Sequence, residues 1–271
     1  MGVDYSTYKQ LKVEVDEDGV AIVNIGRPEV LGALSKDGLH EFHHRIFQDL
    51  ARDETVKAII VTGEGRGFCS GADVRGMKRD IKEEGVTEPE GIVLYTAQQL
   101  VDAMLDIEKP TIAAVNGHAM GLGATIALFC DIIIAAETAK FADSHIKVGL
   151  VPGDGGTIIW PLLIGPARAK ELLMTGDIID AKEADRIGLV NRVVPLEDLM
   201  PTAKELAKRL AKGPTLAIGW TKRSINKKIK EEVNMVMDGC SSSERISFNT
   251  YDHKEGTLSF LEKRPPQFKG R

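Results

Sequence analysis

An α/β fold with parallel strands, followed by a helical C-terminal region, is what this sequence predicts. Three observations point there. Short β-rich runs alternate with helical stretches through most of the chain. Runs such as 58–62 and 111–115 are apolar almost throughout, as strands covered on both faces are. From Pro214 onward the text turns helical and charged.

The elements follow in order. Residues 20–25 read as a strand that stops at Gly26-Arg27-Pro28. Ser35 is placed to cap the next helix, with Asp37 in its first turn. Leu39, Phe42, Ile46 and Leu50 recur at helical spacing and predict one continuous apolar face. A second strand at 58–62 runs into the loop 63–67. Residues 78–90 are charged, contain Gly85 and Pro89, and read as a mobile surface segment. A helix is predicted near 92–107, and Pro110 opens a third strand at 111–115. A glycine-rich turn, a small-residue helix at 121–129 and a fourth strand at 131–135 come next. Helices are predicted at 168–175, 181–187 and 202–211, with a strand at 190–194. Pro265-Pro266 stops the last helix. The division falls between a core at 1–205 and a helical region at 206–271.

Composition narrows the class. The 271 residues, 43% hydrophobic and 28% charged, suit one large domain or two small ones. Such a length supports a full core without disulfides or metals. The 27 Gly and 11 Pro exclude collagen-like and low-complexity chains. Lys plus Arg is 35 against 40 Asp plus Glu, a net of -5, which argues against a surface built wholly for nucleic acid. Cys69, Cys130 and Cys240 are too few for a disulfide framework or a zinc site and read as packed, reduced thiols. The opening residues are polar, and no run approaches the ~18 apolar residues of a membrane span. A soluble, cytoplasmic protein with no membrane partner is the expectation.

Two motifs carry chemistry. Phe68-Cys69-Ser70-Gly71-Ala72-Asp73 follows a strand and a glycine-rich loop. Asn116-Gly117-His118-Ala119-Met120-Gly121-Leu122-Gly123-Ala124 lies between a strand and a helix. A helix N-terminus there offers unpaired N–H donors and partial positive charge to an oxyanion. Neither motif is a dinucleotide fingerprint or a P-loop. Each alone also fits a tight turn.

Together these motifs resemble the crotonase (enoyl-CoA hydratase/isomerase) superfamily. The likeness extends to Arg27-Pro28-Glu29, Lys109 through Gly117, Cys130-Asp131-Ile132, Gly149 through Gly153, Leu173 through Gly176 and Phe260 through Arg264. It implies a spiral of ββα turns, a C-terminal helical trimerisation region, trimers or dimers of trimers, and an acyl-CoA thioester ligand with no separate cofactor. It also implies that the backbone N–H groups of Ala72 and Leu122 hold the thioester oxygen. Ser70, Gly71, Asp73 and Val74 would lie along the ligand, and Lys263, Phe268 and Lys269 would touch the coenzyme A of a neighbouring subunit.

The acid/base positions depart from the family pattern. Hydratases carry two glutamates where this chain has Thr125 and His145. His145 exchanges a proton near neutral pH, and Asp154, nine residues on, is within reach if the chain folds back. Thr125 is placed to orient a water. The plainer alternative is a satisfied pocket histidine and a turn-forming aspartate. The His–Asp pair also resembles the β-diketone hydrolase branch of the superfamily, which cleaves C–C bonds. That branch carries a further histidine in the glycine turn, about where Gly123 stands. The resemblance thus implies an enoyl-CoA hydratase or isomerase, a β-dicarbonyl hydrolase, or a silent assembly or RNA-binding member. No metal site is expected at His40, His43 and His44, which lack an acidic or cysteine partner at metal spacing. His118 reads as packing or surface, Asp73 as a loop-ordering acid, and the basic run Lys222 to Lys230 as a solvated face.

Overall fold

A computed structural model describes residues 3–76 and 93–271. The segment expected at 78–90 lies outside the described residues. Among the described residues, ten strands form two sheets. The first contains β1 (Leu11–Val15), β2 (Val20–Ile25), β3 (Ala58–Gly63), β5 (Thr111–Val115), β7 (Ile132–Ala136) and β10 (Arg192–Val194) in that spatial order. β1 and β2 are antiparallel; every later pairing in this sheet is parallel. The second sheet contains β4 (Gly67–Cys69), β6 (His118–Met120), β8 (Lys140–Ala142) and β9 (Ile179–Asp180). β3–β4, β5–β6 and β7–β8 each send one strand to each sheet, so the chain advances as a spiral.

The alternation of side chains explains why the central strands are apolar on both faces. Ile59, Val61, Ala113, Val115, Ile133 and Ala135 face the main core. Their neighbours Ala58, Ile60, Ile112, Ala114, Ile134 and Ala136 face Leu199, Ala203, Leu206 and Ala207 of the helix over Leu196–Ala211. That helix begins before the predicted residue 202 and carries Pro201 inside it. An interior proline costs about 3 kcal/mol. Burying Leu199 and Leu206, each worth roughly 1.5–3 kcal/mol, offsets it.

Numbering helices in chain order, α1 is Lys36–His44, α2 Ile46–Arg52, α3 Val93–Asp106, α4 Leu122–Leu128, α5 Gly156–Ile164, α6 Pro166–Thr175, α7 Ala181–Arg186, α8 Leu196–Ala211, α9 Thr215–Ser247 and α10 Tyr251–Glu262. Ser35 caps α1 as expected, its side chain accepting from the Gly38 N–H at 3.2 Å. The single helix expected over Leu39 to Leu50 is two. The chain leaves helical angles at Arg45, whose guanidinium lies 4.4 Å over the Tyr8 ring. Phe42, Ile46 and Leu50 are still all buried.

Two further corrections concern charge. The basic run on α9 is a solvated face only in part. Lys222 is buried and pairs with Asp131 at 2.8 Å, Lys230 pairs with Asp106 at 2.5 Å, and Arg223 pairs with Glu108 at 3.3 Å. Asp106 and Glu108 lie at the end of α3 and just beyond it, Asp131 lies just before β7, and Lys227 and Lys228 remain exposed. On α1, burial and then the neighbouring His44 and His40 hold His43 down at about 4. A histidine kept neutral in the fold but free to charge when unfolded removes stability as pH falls. The His43 contribution to urea unfolding should be flat above about pH 6.5 and lose up to about 3 kcal/mol between 6.5 and 4. His43→Leu should flatten that slope; an unchanged slope places it elsewhere.

A candidate active site at the α4 N-terminus

The site starts from two loops. After β4, Leu34 pairs with Ala72 in a parallel bridge: the Leu34 N–H donates to Gly71 O at 2.8 Å, and the Asp73 N–H donates to Leu34 O at 3.0 Å. In such a bridge the central residue's own N–H points to the other side. After β6, Gly121 turns the chain into α4. Leu122 is the first helical residue, so its N–H has no partner within the helix. A β-carbon on Gly71 would stand 3.6 Å from Leu122 N, so the two loops lie side by side. A β-carbon on Gly123 would stand 2.0 Å from Cys69 O, which only glycine allows, and that closeness seats α4 on β4.

The remaining loop residues order this frame. Ser70 Oγ donates to Val30 O at 3.1 Å. Asp73 accepts from Arg27 and Arg75, each at 2.9 Å. The Arg75 hydrogen bond first, with Arg27 adding and partial burial opposing, holds Asp73 at about 2. Val74, half-buried, follows.

His145 opens a short 3-10 turn, His145–Val148, after β8. It sits beside α4: a β-carbon on Gly121 would stand 3.4 Å from His145 Cε1. Three carboxylates surround the ring. Nδ1 lies 2.6 Å from Asp143 Oδ1; Nε2 lies 3.6 Å from Asp154 Oδ2 and 3.9 Å from Glu244 Oε1. All are well buried, and His145, with 13% of its side chain exposed, is the most open member.

Two expectations are corrected. Asp154 does fold back onto His145, but Asp143 makes the close Nδ1 contact that fixes the tautomer. Thr125 is fully buried and its hydroxyl donates to Asp154 Oδ1 at 3.0 Å, so it orients the carboxylate rather than a water. Burial pulls the imidazole down, but Asp143, Asp154 and Glu244 outweigh it and hold the ring well above 6.5. Burial raises Asp154, against the pull of His145. Burial lifts Glu244 to about 8, also against His145, with Asp154 and Asp143 adding to the rise.

Sequence spacing did not single out Asp143 or Glu244. Asp143 stands two residues from His145 and was readable there. Glu244 reaches the site from the far end of α9, and no local pattern announces it. Ser241 Oγ donates to Gly153 O at 3.1 Å, docking α9 on the turn that carries Asp154. α10 closes over the 3-10 turn through His253 Nδ1 and Val148 O, 2.8 Å apart. Lys263, Phe268 and Lys269 lie at and beyond the end of α10. Lys263 ends the helix, Phe268 is exposed, and Lys269 Nζ lies 4.3 Å over the Tyr251 ring. Among the described residues, the ion pairs and hydrogen bonds found do not join these three to the His145 cluster.

Residues 16–271 match a family model described as enoyl-CoA hydratase/isomerase. A crotonyl-CoA hydratase of Syntrophomonas wolfei is 38% identical over 262 residues, 96% of this chain and 98% of that protein. A 1,2-epoxyphenylacetyl-CoA isomerase of Escherichia coli is 37% identical over 256 residues, 94% of this chain and 97% of its own. The crystal structure of an enoyl-CoA hydratase/isomerase from Mycobacterium paratuberculosis superposes with a TM-score of 0.87 at 32% identity, covering 94% of this chain and 100% of that one.

Proposed function

The chain belongs to the enoyl-CoA hydratase/isomerase family, and from that premise we propose that it adds water to an enoyl-CoA, or shifts its double bond, through an enolate. The observation that carries the reading is the imidazole with three carboxylates beside the first turn of α4. The thioester oxygen rests on the Ala72 and Leu122 N–H groups, each worth on the order of 10²–10³ in rate. Water gives its proton to Asp154 Oδ2 as its oxygen bonds to Cβ. The electron pair moves to the thioester oxygen as an enolate. The enolate collapses as Cα takes a proton from His145 Nε2. Asp154 then returns the proton to Nε2, and the cluster is restored. Asp143 holds the ring, and Thr125 leaves Asp154 Oδ2 free.

The cluster supports a second reading. The two usual glutamates are Thr125 and His145 here, and a His–Asp pair also suits hydrolysis of a β-dicarbonyl C–C bond. Water would add to one carbonyl, and the enolate leaving group would rest on the same N–H pair. Loss of enoyl absorbance on adding crotonyl-CoA tests the first reading. Cleavage of a cyclic β-diketone without consumption of any enoyl-CoA would replace it with the second. A chain inert to both, yet trimeric, would be a silent assembly member.

We further propose trimers or dimers of trimers built by 206–271, coenzyme A touched by Lys263, Phe268 and Lys269 of a neighbour, and a cytoplasmic setting. Among the described residues no helix is long and apolar enough to cross a membrane. The pairing of Lys222, Arg223 and Lys230 within the chain weighs against a nucleic-acid partner.

Glu244 supplies a pH test. With its carboxyl raised to about 8, it is neutral at pH 7 and becomes a further buried anion above that. Activity should fall as pH rises through about 8, and Glu244→Gln should move that alkaline limb higher. Glu244→Gln should also gain stability relative to the parent from pH 4.5 upward, because a raised carboxyl loses stability as pH rises. An unmoved limb assigns the titration to another group.

A further inference from the structure

Gly156 stands where the backbone does not ask for glycine. It is the first residue of α5, and it is not among the residues with positive φ. Alanine would suit such a helical position up to about 1 kcal/mol better. What glycine supplies here is room. A β-carbon at 156 would fall on Asp143 Oδ2, with Pro152 Cβ next at 3.1 Å and Asp143 Cγ at 3.5 Å. Asp143 Oδ2 is buried with no hydrogen-bond partner, so contact with the first turn of α5 holds that oxygen rather than a bond. The partial positive charge of a helix N-terminus favours an anion there.

The neighbouring glycines are needed for other reasons. Gly155, at φ 114, serves its own backbone, and a β-carbon on Gly153 would meet Glu244 Cβ at 2.6 Å and Cys240 O at 2.8 Å, the body of α9 itself. Of the three, only Gly156 has the end of one site carboxylate as its first obstacle.

We propose that Gly156 is a positioning residue: its missing side chain seats the Asp143 carboxylate against α5, and that seat aims Asp143 at His145. The catalytic part of this rests on the proton relay proposed above. Seated there, Asp143 Oδ1 accepts from the His145 backbone N–H at 3.2 Å and stands 2.6 Å from ring Nδ1. One oxygen makes both contacts, so a displaced carboxylate gives up both. The charges still facing the ring would be Asp154, from the turn before α5, and Glu244, from α9. The imidazolium is then held less strongly, and Nε2 is aimed less well.

The test is a histidine titration of the full chain by NMR, with the His145 signal assigned by its loss in His145→Ala. Gly156→Ala should lower the His145 midpoint by roughly one pH unit, the lower end of what a nearby opposite charge is worth. Its kcat should fall about tenfold or more with KM near that of the parent, since small misplacements cost up to about 10² in rate. In an Asp143→Ala background the obstacle is gone. There Gly156→Ala should leave the midpoint in place and change kcat by less than about twofold. An unmoved midpoint in the single variant, or equal losses in both backgrounds, overturns the proposal. Should Gly156→Ala not fold, the double variant decides: it should fold as Asp143→Ala does, and its failure to fold also overturns the proposal. The titration needs no substrate, so failure of the enoyl-CoA reading leaves its result standing.

Discussion

His145→Ala should consume crotonyl-CoA about 10²–10⁴-fold more slowly than the parent, the usual worth of a positioned proton donor. The variant still has the proposed Ala72 and Leu122 donors for the thioester, so KM should change far less than kcat. Stability gives a second signature. The folded imidazole is held well above 6.5 by its carboxylates, so its contribution is complete below about pH 6.5 and is lost as pH rises through the folded value. The difference in unfolding free energy between parent and variant should therefore be largest at acid pH and shrink toward alkaline pH. Asp143→Asn separates positioning from chemistry. It keeps Nε2 in place but weakens the hold on Nδ1, so its rate should fall less and its pH profile should shift toward acid. A variant at position 145 as fast as the parent would remove the histidine from the mechanism.

Leu122→Pro is the second large effect expected, a fall of about 10²–10³ in kcat with the fold retained. Proline is at home at the first helical position, where the missing N–H has no helical partner to lose. Gly121, at φ 52 and ψ -125, takes the mirror image of the extended conformation that favours a following proline. The substitution thus deletes one proposed oxyanion donor and little else. Leu122→Ala controls for the lost side chain, which is buried, and should cost stability but keep most of the rate. Equal rates in the proline and alanine variants would mean that the Leu122 N–H does not hold the oxygen.

Much of the frame was legible because it rests on local chemistry. The apolar runs in β3 and β5, the Ser35 cap and the breakers around β2 each announce themselves within a few residues. β4, β6 and β8 did not, because three-residue strands are too short for an alternation to show. α5 was hidden because it starts inside Gly155-Gly156 and carries Pro161, both of which read as turn. The break at Arg45 left the apolar spacing intact, so periodicity alone could not find it. The site divides the same way. His145 and Asp154 were readable from a short motif, while the proposed Ala72 and Leu122 donors came from the family resemblance. Glu244 was not, since its nearness to His145 is made by the docking of α9 rather than by any spacing.

The way α9 and α10 close the site bears on synthesis. A ribosome releases the Ala72 and Leu122 loops before His145, and His145 before Glu244 and His253. Until α10 emerges, nothing presses Gly149 against the backbone of Asp252, where a β-carbon would stand 2.6 Å away. A chain interrupted after α8 can complete its large sheet yet has neither Glu244 nor the helix that steadies the His145 turn. The proposed chemistry therefore depends on α9 and α10, which the ribosome delivers after the other parts of the site.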